Sequence, residues 1–222
     1  MLDKIKGGLV ISCQALSDEP LHSPFIMGRM AIAAKEAGAV GIRAQGVSDI
    51  IEIKRVVDLP VIGIIKRDYE GSEVYITPTM KEVNELLSSG CDMIALDATN
   101  RVRPNCEKLR DLILSIKRKN ILVMADISNY EEGVMAEEFG CDCVSTTLSG
   151  YTSYTQREDE PDLELMKKLV RDLKIPVIAE GRINTPEDLK SVYDTGVHSA
   201  VVGSAITRPQ LIAKRFIDVI SK

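Results

Sequence analysis

Short runs of apolar, β-branched residues recur along the chain, and polar residues bound each run. Eight such runs predict β-strands. They lie in G-G-L-V-I-S-C-Q, A-G-A-V-G-I, L-P-V-I-G-I-I-K, S-G-C-D-M-I-A-L-D, N-I-L-V-M-A-D, F-G-C-D-C-V-S-T-T, I-P-V-I-A-E-G and T-G-V-H-S-A-V-V-G. Runs that are apolar at nearly every position are typical of strands buried on both faces of a parallel sheet.

Segments with helical periodicity separate these runs. Their apolar residues recur every three to four positions, most clearly in Thr79–Ser89, Glu107–Lys117, Pro161–Leu173 and Pro186–Asp194. The last of these begins with the start signal N-T-P-E, which combines a cap candidate, a first-turn proline and an early carboxylate. Glycine adopts the left-handed conformation of a helix C-cap without a Cβ clash. Four helix-like segments end in such a glycine: Gly38, Gly90, Gly140 and Gly196.

The alternation of apolar strands with helices predicts parallel pairing and right-handed crossovers. Eight such units in 222 residues predict an α/β fold, a (β/α)8 TIM barrel. We expect residues 1–222 to form it as a single domain, because no linker or low-complexity segment interrupts them. An open doubly wound sheet is the alternative, but no G-x-G-x-x-G pattern follows the first strand.

Composition and charge limit the functions open to this chain. Its hydrophobic and charged fractions, 45% and 27%, are ordinary for a globular protein. A formal net charge of −5 gives no electrostatic reason to bind nucleic acid or an anionic membrane. No apolar run reaches transmembrane length, and the first residues show no signal-peptide pattern. Five cysteines without a C-x-x-C pair favour a reduced, cytoplasmic protein, and two histidines with dispersed carboxylates predict no metal site.

A barrel of this class places its active site at the carboxyl ends of the strands, on the loops that follow them. The polar residues that end the apolar runs are therefore the candidates for chemistry. They are Gln14, Arg43, Lys66, Asp97, Asp126, Thr146, Glu180 and Ser204.

The last two strands end in small residues. Gly181 follows the seventh strand and Gly203 the eighth, so an anion can approach backbone N–H groups there. With Arg182 and Ser204 they form a predicted phosphate cradle, at the place where this barrel class often binds phosphate. Arg208 is expected either to reach the phosphate or to form an ion pair. The plainer alternative is that both glycines only permit tight turns.

Lys66 and Glu180 each stand one step beyond an apolar run. Strand alternation places Lys66 on the face of Ile62 and Ile64, and Glu180 on the face of Ile178. If those faces point inward, the two side chains converge on the barrel mouth. A partly desolvated lysine has a lowered pKa, which a nearby carboxylate raises again, and such a lysine suits proton transfer to and from carbon. A purely structural Lys–Glu ion pair remains the alternative.

Other strand-end residues have roles that the pattern leaves open. Arg43 can stabilise an enolate or carboxamide oxygen, and Asp126 can orient sugar hydroxyls or a lysine. Gln14 can hydrogen-bond a sugar or an amide. Asp97 and the segment R-V-R-P that follows the fourth strand are expected to fix a loop.

Several motifs resemble those of the N-acetylmannosamine-6-phosphate 2-epimerase family. They span Val10 to Arg208 and comprise V-I-S-C-Q, A-G-A-V-G-I-R, V-I-G-I-I-K-R-D, I-A-L-D-A-T, S-T-T-L-S-G-Y-T, V-I-A-E-G-R-I-N-T-P and V-V-G-S-A-I-T-R. The resemblance implies interconversion of N-acetylmannosamine 6-phosphate and N-acetylglucosamine 6-phosphate, in sialic acid and amino sugar catabolism. It also implies a homodimeric, cofactor-independent barrel of the ribulose-phosphate-binding type.

The resemblance also implies roles for the candidate residues. Lys66 would transfer the proton at C2, with Glu180 as its carboxylate partner. The acetamido and hydroxyl end would be held by Gln14, Arg43 and Asp126. The phosphate end would be held by Gly181, Arg182, Gly203, Ser204 and Arg208.

Two other functions remain open at this point. A lysine at a barrel strand end also serves Schiff-base aldolases. A non-catalytic phosphosugar-binding barrel is the second alternative, although no basic recognition helix is visible. The amphipathic segment I-A-K-R-F-I-D-V-I near the C-terminus is expected to cover the barrel or to contact a partner subunit.

Overall fold

The structure, a computed structural model, describes residues 1–220, so the last two positions of the predicted domain lie outside it. Its eight strands pair in parallel in sequence order, and β1 pairs with β8 to close a barrel. The strands are β1 Leu9–Cys13, β2 Gly41–Gln45, β3 Val61–Ile64, β4 Met93–Asp97, β5 Leu122–Asp126, β6 Cys143–Ser145, β7 Val177–Glu180 and β8 Ser199–Val202. The predicted (β/α)8 barrel is confirmed, and closure excludes the open sheet.

At least one helix follows each strand, and one short helix precedes β1. Their bounds are α1 Leu2–Ile5, α2 Pro24–Glu36, α3 Val47–Val56, α4 Met80–Leu87, α5 Leu109–Lys117, α6 Tyr130–Glu138, α7 Leu163–Asp172, α8 Pro186–Tyr193, α9 Ser204–Thr207 and α10 Pro209–Ile220. The four predicted segments correspond to α4, α5, α7 and α8. Helix α8 is capped by Thr185, which forms a reciprocal capping box with Asp188. The glycines predicted at the C-terminal ends of helices all have positive φ, as the left-handed conformation of a helix C-cap requires: Gly38, Gly90, Gly140 and Gly196.

Strand alternation sorts the core into two layers. Residues on the outer face of the strands pack under the helices, as Ile42 and Ile94 do. Residues on the inner face fill the barrel itself and form a separate cluster, which includes Val10, Ile62, Ile64, Met93, Met124, Ile178 and Val201. Since Ile62, Ile64 and Ile178 point inward, the predicted orientation of the Lys66 and Glu180 strand ends is confirmed.

Helix α10 differs from the other barrel helices. None of its side chains within the described chain is buried, and Phe216 is 75% exposed. Along residues 1–220, none of the helices combines the length and the apolar character needed to cross a bilayer.

Candidate active site

A cavity of about 460 Å³ opens at the carboxyl ends of the strands. Several βα loops line it, because the carboxyl ends of all eight parallel strands meet at this mouth. Eight of the ten predicted site residues are in its wall: Gln14, Lys66, Glu180, Gly181, Arg182, Gly203, Ser204 and Arg208. The other two, Arg43 and Asp126, lie buried beneath it.

Arg43 is the centre of the cluster beneath the cavity. Its Nη2 lies 2.6 Å from Oδ2 of Asp126, and its Nη1 lies 3.1 Å from Oδ1 of Asp126 and 2.8 Å from Oε2 of Glu180. Arg43 is only 1% exposed. Desolvation disfavours its charge, but Asp126 and Glu180 outweigh that effect and raise its pKa. Two carboxyl groups thus share one guanidinium.

Glu180 ends β7 and joins this cluster to the cavity. Its side chain is 16% exposed, and only Oε2 contacts Arg43. Burial raises the pKa of Glu180, and Asp126 adds to that effect, while Arg43, Thr147 and Lys66 oppose it. Its ion-pair partner is therefore Arg43 and not Lys66.

Lys66 follows β3 and faces the cavity without an ion-pair partner among residues 1–220. Its backbone N–H donates to Oε1 of Gln45 at 2.7 Å, which fixes the start of the loop. Desolvation, with help from Arg43 and Arg208, lowers the pKa of Lys66 to about 8, although Glu180 and Glu19 act in the opposite direction. About a tenth of the amine is therefore neutral at pH 7, far more than for a lysine in water, and the neutral amine is the form that acts as a general base.

The loop behind Lys66 is a short hairpin fixed to α4. Lys66 pairs with Ile76 in an antiparallel bridge. The guanidinium of Arg67 binds the carboxylates of Glu82 and Glu85, the latter at 3.0 Å, and the hydroxyl of Tyr69 donates to Glu82 at 2.9 Å. Arg67 therefore anchors the hairpin to the helix, whereas its neighbour Lys66 lines the cavity.

Gly181 and Gly203, which the sequence assigned to a phosphate cradle, both lie in the cavity wall. Gly181 has φ +107°, so a side chain there would be strained, and a Cβ on Gly203 would lie 3.2 Å from the Cβ of Ser12. Gly203 is the N-cap of α9, whose first N–H groups have no partner within the helix. This combination leaves backbone donors at the cavity wall, beside Ser204.

Two arginines at this end already have protein partners. The guanidinium of Arg208 binds Glu19 at 2.9 Å and lies 3.4 Å from the hydroxyl of Ser204. Arg182 donates from Nε to the carbonyl of Glu160 at 2.7 Å and from Nη1 to the carbonyl of Ser149. Arg208 thus takes the ion-pair option of the two predicted from sequence. The Arg182 side chain holds both ends of the loop 149–160, so only its backbone is directed to the cradle.

Gln14 lies at the end of β1 beside this cradle. Its Nε2 donates to Oγ of Ser12 at 2.7 Å, whereas its buried Oε1 has no hydrogen-bond partner in the described chain. Asp97 and Arg101, by contrast, pair with each other at 2.6 Å and fix the loop after β4, as expected.

Sequence reasoning missed several residues of the site. Thr147 places its hydroxyl between the carboxylates of Asp126 and Glu180, at 2.7 and 3.1 Å. Tyr75 and Arg157 line the cavity from the β3 hairpin and from the loop 149–160. The signal available for Thr147 was its position in T-T-L-S-G-Y-T, next to the strand-end candidate Thr146 and two residues beyond the end of β6 at Ser145.

The family model described as "Putative N-acetylmannosamine-6-phosphate epimerase" matches residues 27–222. The chain belongs to this family. The resemblance inferred from the strand-end motifs is thereby confirmed, and with it the assignment to the isomerase class of enzymes.

Individual relatives agree with this assignment. A Clostridioides difficile (strain 630) protein named "Putative N-acetylmannosamine-6-phosphate 2-epimerase" is 70% identical over 220 residues, which cover 99% of each chain. The solved structure of the Clostridium perfringens N-acetylmannosamine-6-phosphate 2-epimerase is 66% identical, with a TM-score of 0.97 over 99% of this chain and 96% of that one. A thiamine phosphate pyrophosphorylase from Pyrococcus furiosus, 20% identical with a TM-score of 0.63, shares the fold alone.

Proposed function

We propose that the chain interconverts N-acetylmannosamine 6-phosphate and N-acetylglucosamine 6-phosphate by proton transfer at C2. The observation that carries this proposal is Lys66, a lysine with a pKa lowered to about 8 that faces the cavity without a bound carboxylate. Membership of the epimerase family supplies the substrate class. A glycine-lined wall at the other side of the cavity, around Gly181 and Gly203, suits the phosphate group.

The chemistry begins with the open-chain aldehyde, because its C1 carbonyl makes the C2 proton acidic. Neutral Lys66 takes that proton, and the electron pair of the C–H bond moves into the enolate. The resulting ammonium group lies beside the enolate and stabilises it electrostatically. After rotation of the open-chain enolate presents the opposite face of C2 to Lys66, the ammonium group donates its proton to that face, which gives the epimer and restores the neutral amine.

Glu180 is placed to assist this cycle. Its Oε2 is held by Arg43, so the carboxylate keeps a fixed orientation at the cavity wall. We assign to it the exchange of the hydroxyl proton during ring opening, together with an electrostatic effect on Lys66. Arg43 and Asp126 lie beneath the cavity, where both are buried and bound to one another, and they act through the contact of Arg43 with Glu180.

Gln14 and the cradle complete the proposed contacts. The unpartnered Oε1 of Gln14 is an acceptor of the kind that an acetamido N–H requires. Backbone donors at Gly181, Arg182 and Gly203, with the hydroxyl of Ser204, are assigned to the phosphate. Arg208 adds positive charge to that end while it remains bound to Glu19.

Proton NMR of the enzyme with N-acetylmannosamine 6-phosphate in D2O tests this proposal. We expect the N-acetylglucosamine epimer to accumulate with deuterium at C2, and we expect Lys66→Met to abolish both epimerisation and exchange. Conversion without deuterium entry, or wild-type turnover in the variant, would contradict the role of Lys66. Borohydride added with the substrate distinguishes the aldolase alternative, because a Schiff base would leave a stable mass adduct on Lys66.

We propose further that the enzyme is a homodimer in which α10 of each copy docks on the other. An apolar groove of about 310 Å³ lies along β1 and α2, lined by Leu9, Ile11, Met30, Ala33, Ala37 and Ile206. In a (β/α)8 barrel the helix that follows β8 ordinarily covers this place, but α10 turns away and buries none of its described side chains. A second copy carries the apolar helix that the groove lacks, and reciprocal docking satisfies both copies under two-fold symmetry.

We also infer a cytoplasmic location and a single-domain organisation for residues 1–222. Support for the location comes from the cysteines, since all five are free thiols and four of them are buried. Support for one domain comes from the strand order, because β1 and β8, from opposite ends of the chain, pair with each other.

A further inference from the structure

We propose that Thr147 is a positioning residue for the proposed epimerisation. Its hydroxyl donates to Glu180 while that carboxyl is ionised, and it turns to Asp126 when Glu180 takes up a proton. This inference rests on the proposed function for the role of Glu180. It goes beyond that function because it assigns the residue that keeps two neighbouring carboxylates in place while one of them changes charge.

The geometry around Thr147 carries the inference. Its Oγ1 lies 2.7 Å from Oδ1 of Asp126, 3.1 Å from Oε2 of Glu180 and 2.8 Å from Oγ of Ser145. The two carboxylate oxygens that it contacts are the same two that receive Nη1 of Arg43. One guanidinium and one hydroxyl therefore supply the donors between two carboxylates.

A threonine hydroxyl carries one proton and can donate to one acceptor at a time. Ionised carboxylates only accept hydrogen bonds, whereas the hydroxyl of Ser145 can be the donor in its contact with Thr147. With Ser145 as that donor, the single proton of Thr147 goes to one of the two carboxylates. Arg43 neutralises one of the two negative charges, and the hydroxyl is the additional donor for the other. When Glu180 takes a proton from a substrate hydroxyl, it no longer needs this donor, and rotation about one bond of Thr147 delivers the donor to Asp126.

Three charged groups act most strongly on Glu180. Arg43 comes from β2, Lys66 from the end of β3 and Asp126 from β5. Desolvation and Asp126 raise the pKa of Glu180, whereas Arg43, Thr147 and Lys66 lower it. Removal of the Thr147 donor should therefore raise the pH at which Glu180 loses its proton.

The test compares Thr147→Val, which removes the hydroxyl at nearly constant volume, with Thr147→Ser, which keeps it. Two groups shape the acidic side of the kcat/KM profile, because both Lys66 and Glu180 must be deprotonated: the upper break belongs to Lys66 and the lower break, here called the acidic midpoint, to Glu180. We expect the acidic midpoint of Thr147→Val to move upward by about one pH unit, which is a tenfold loss of activity below that break, or about 1.4 kcal/mol. KM at the pH optimum should change little. Thr147→Ser should restore the wild-type midpoint. An unchanged midpoint in Thr147→Val, or no restoration by serine, would overturn the proposal.

Thr146→Val is the matched control. The hydroxyl of Thr146 also contacts Glu180, but it binds the backbone carbonyl and N–H at 2.9 and 3.1 Å and not the carboxylate. We expect this variant to lose stability without a shift of the acidic midpoint. A shift equal to that of Thr147→Val would show that any disturbance of the turn Thr146–Leu148 has this effect, and would overturn the proposal. If Thr147→Val does not fold, Thr147→Cys supplies a weaker donor, and a midpoint identical to wild type would then contradict the proposal.

A titration without substrate separates this inference from the proposed function. The ¹³C signal of the Glu180 carboxyl, assigned with Glu180→Gln, reports ionisation directly in the whole protein. We expect its midpoint to be higher in Thr147→Val than in wild type, and equal midpoints would overturn the role of Thr147. Absence of epimerisation by the wild-type enzyme would reject the proposed function and leave this titration as the decisive measurement.

Discussion

Lys66 lies in a partly desolvated position, where its positive charge is unfavourable. The charged amine should therefore lower the free energy of unfolding of the protein. Its folded-state pKa of about 8 lies below the ordinary value of 10.5, mainly because of desolvation. Between these two values the unfolded chain binds a proton that the folded chain does not, so stability rises with pH across this window. Below pH 8 the full cost of charging the amine is present.

Lys66→Met should therefore stabilise the protein while it removes turnover. The difference between the two pKa values corresponds to about 3 kcal/mol, and partial exposure reduces it, so we expect a gain of about 1–3 kcal/mol at pH 7. Urea unfolding at pH 7 to 10 measures it, and the gain should shrink as the pH approaches 10.5. Lys119→Met, at an exposed position, is the control and should change stability by less than about 0.5 kcal/mol. A gain independent of pH would contradict the desolvation argument.

The sequence predicts which residues face the site better than it predicts their partners. Alternation along β3 and β7 correctly directs Lys66 and Glu180 to the barrel mouth. Their pairing is different from that expected, since Glu180 binds Arg43. Contacts across a barrel depend on strand tilt and stagger, and neither property is encoded in the position of a residue at a strand end. Thr147 was missed for a related reason, because it lies in the turn Thr146–Leu148, where strand alternation no longer applies.

At the scale of elements, the β3 hairpin and α4 are joined through one buried carboxylate. Glu82 is fully buried and accepts from the backbone N–H of Thr79 at 3.0 Å and from Tyr69 at 2.9 Å, as well as from Arg67. The contact with Thr79 is half of the capping box that starts α4. One side chain thus begins a helix and fixes the loop that carries Lys66.

Glu82→Gln should destabilise the protein strongly, because Arg67 loses its buried counter-charge and the capping box loses its carboxylate. We expect a loss of about 2–3 kcal/mol in the free energy of unfolding by urea at pH 7. Burial opposes the charge of Glu82, but its hydrogen bonds lower its pKa below the ordinary value. The difference should therefore fade as the pH falls below the ordinary glutamate value of 4.5 and through the lowered pKa of Glu82. Glu85→Gln is the matched control, since it removes a 33% exposed partner of the same arginine and should cost less than about 1 kcal/mol.

The loop 149–160 is held from outside by Arg182. Arg182 donates to backbone carbonyls of the loop, and every residue type has such a carbonyl. The contact therefore requires no particular side chains in the loop, and the loop sequence shows neither helical nor strand periodicity. This explains why the loop could not be predicted, whereas helices with glycine C-caps could. The phosphate role predicted for the Arg182 side chain stays a prediction, and the contacts favour the loop.

Arg182→Ala should release both ends of this loop. Arg157 lies within it and is a trypsin site. We expect cleavage after Arg157 about tenfold faster than in wild type, because local opening becomes easier when two hydrogen bonds of about 0.5–1 kcal/mol each are lost. Mass spectrometry of timed digests measures the rate. Arg171→Ala, which removes an exposed arginine paired with its neighbour Asp172, should leave that rate unchanged. Equal cleavage in all three proteins would show that Arg182 does not hold the loop.

At the scale of the whole molecule, the barrel follows from the number and order of the units. Eight β-branched runs separated by amphipathic segments predicted closure, and the β1–β8 pairing confirms it. The direction of α10 could not be predicted, because an amphipathic helix has the same pattern whether its apolar face covers its own barrel or another copy. Its first turn is nevertheless fixed near the cavity, since Gln210 donates to Glu19 at 3.1 Å, as does the adjacent Arg208. The start of α10 and the loop that carries Arg208 therefore share one carboxylate, Glu19.

Charged substitutions on α10 should dissociate the proposed homodimer. Phe216 and Val219 are 75% and 81% exposed in one copy, and their burial in the groove of a second copy would contribute about 1.5–3 kcal/mol for each side chain. We expect wild type to sediment as two chains of 24.4 kDa, and Phe216→Glu/Val219→Glu to sediment as one.

Met30→Glu, on the groove side, should dissociate the dimer to the same extent, because the proposed contact is between this groove and that helix. Lys214→Glu changes an exposed charge on the same helix, where Lys214 pairs with Asp218, and should leave the dimer intact. A dimer that survives Met30→Glu but not the α10 double variant would place the helix elsewhere on its partner. A wild-type protein that sediments as a monomer would reject the proposed reciprocal docking of α10. Since the first turn of α10 is tied to Glu19 beside Arg208, the dissociated variants should also bind the phosphorylated substrate more weakly, and a rise in KM with little change in kcat would report that connection.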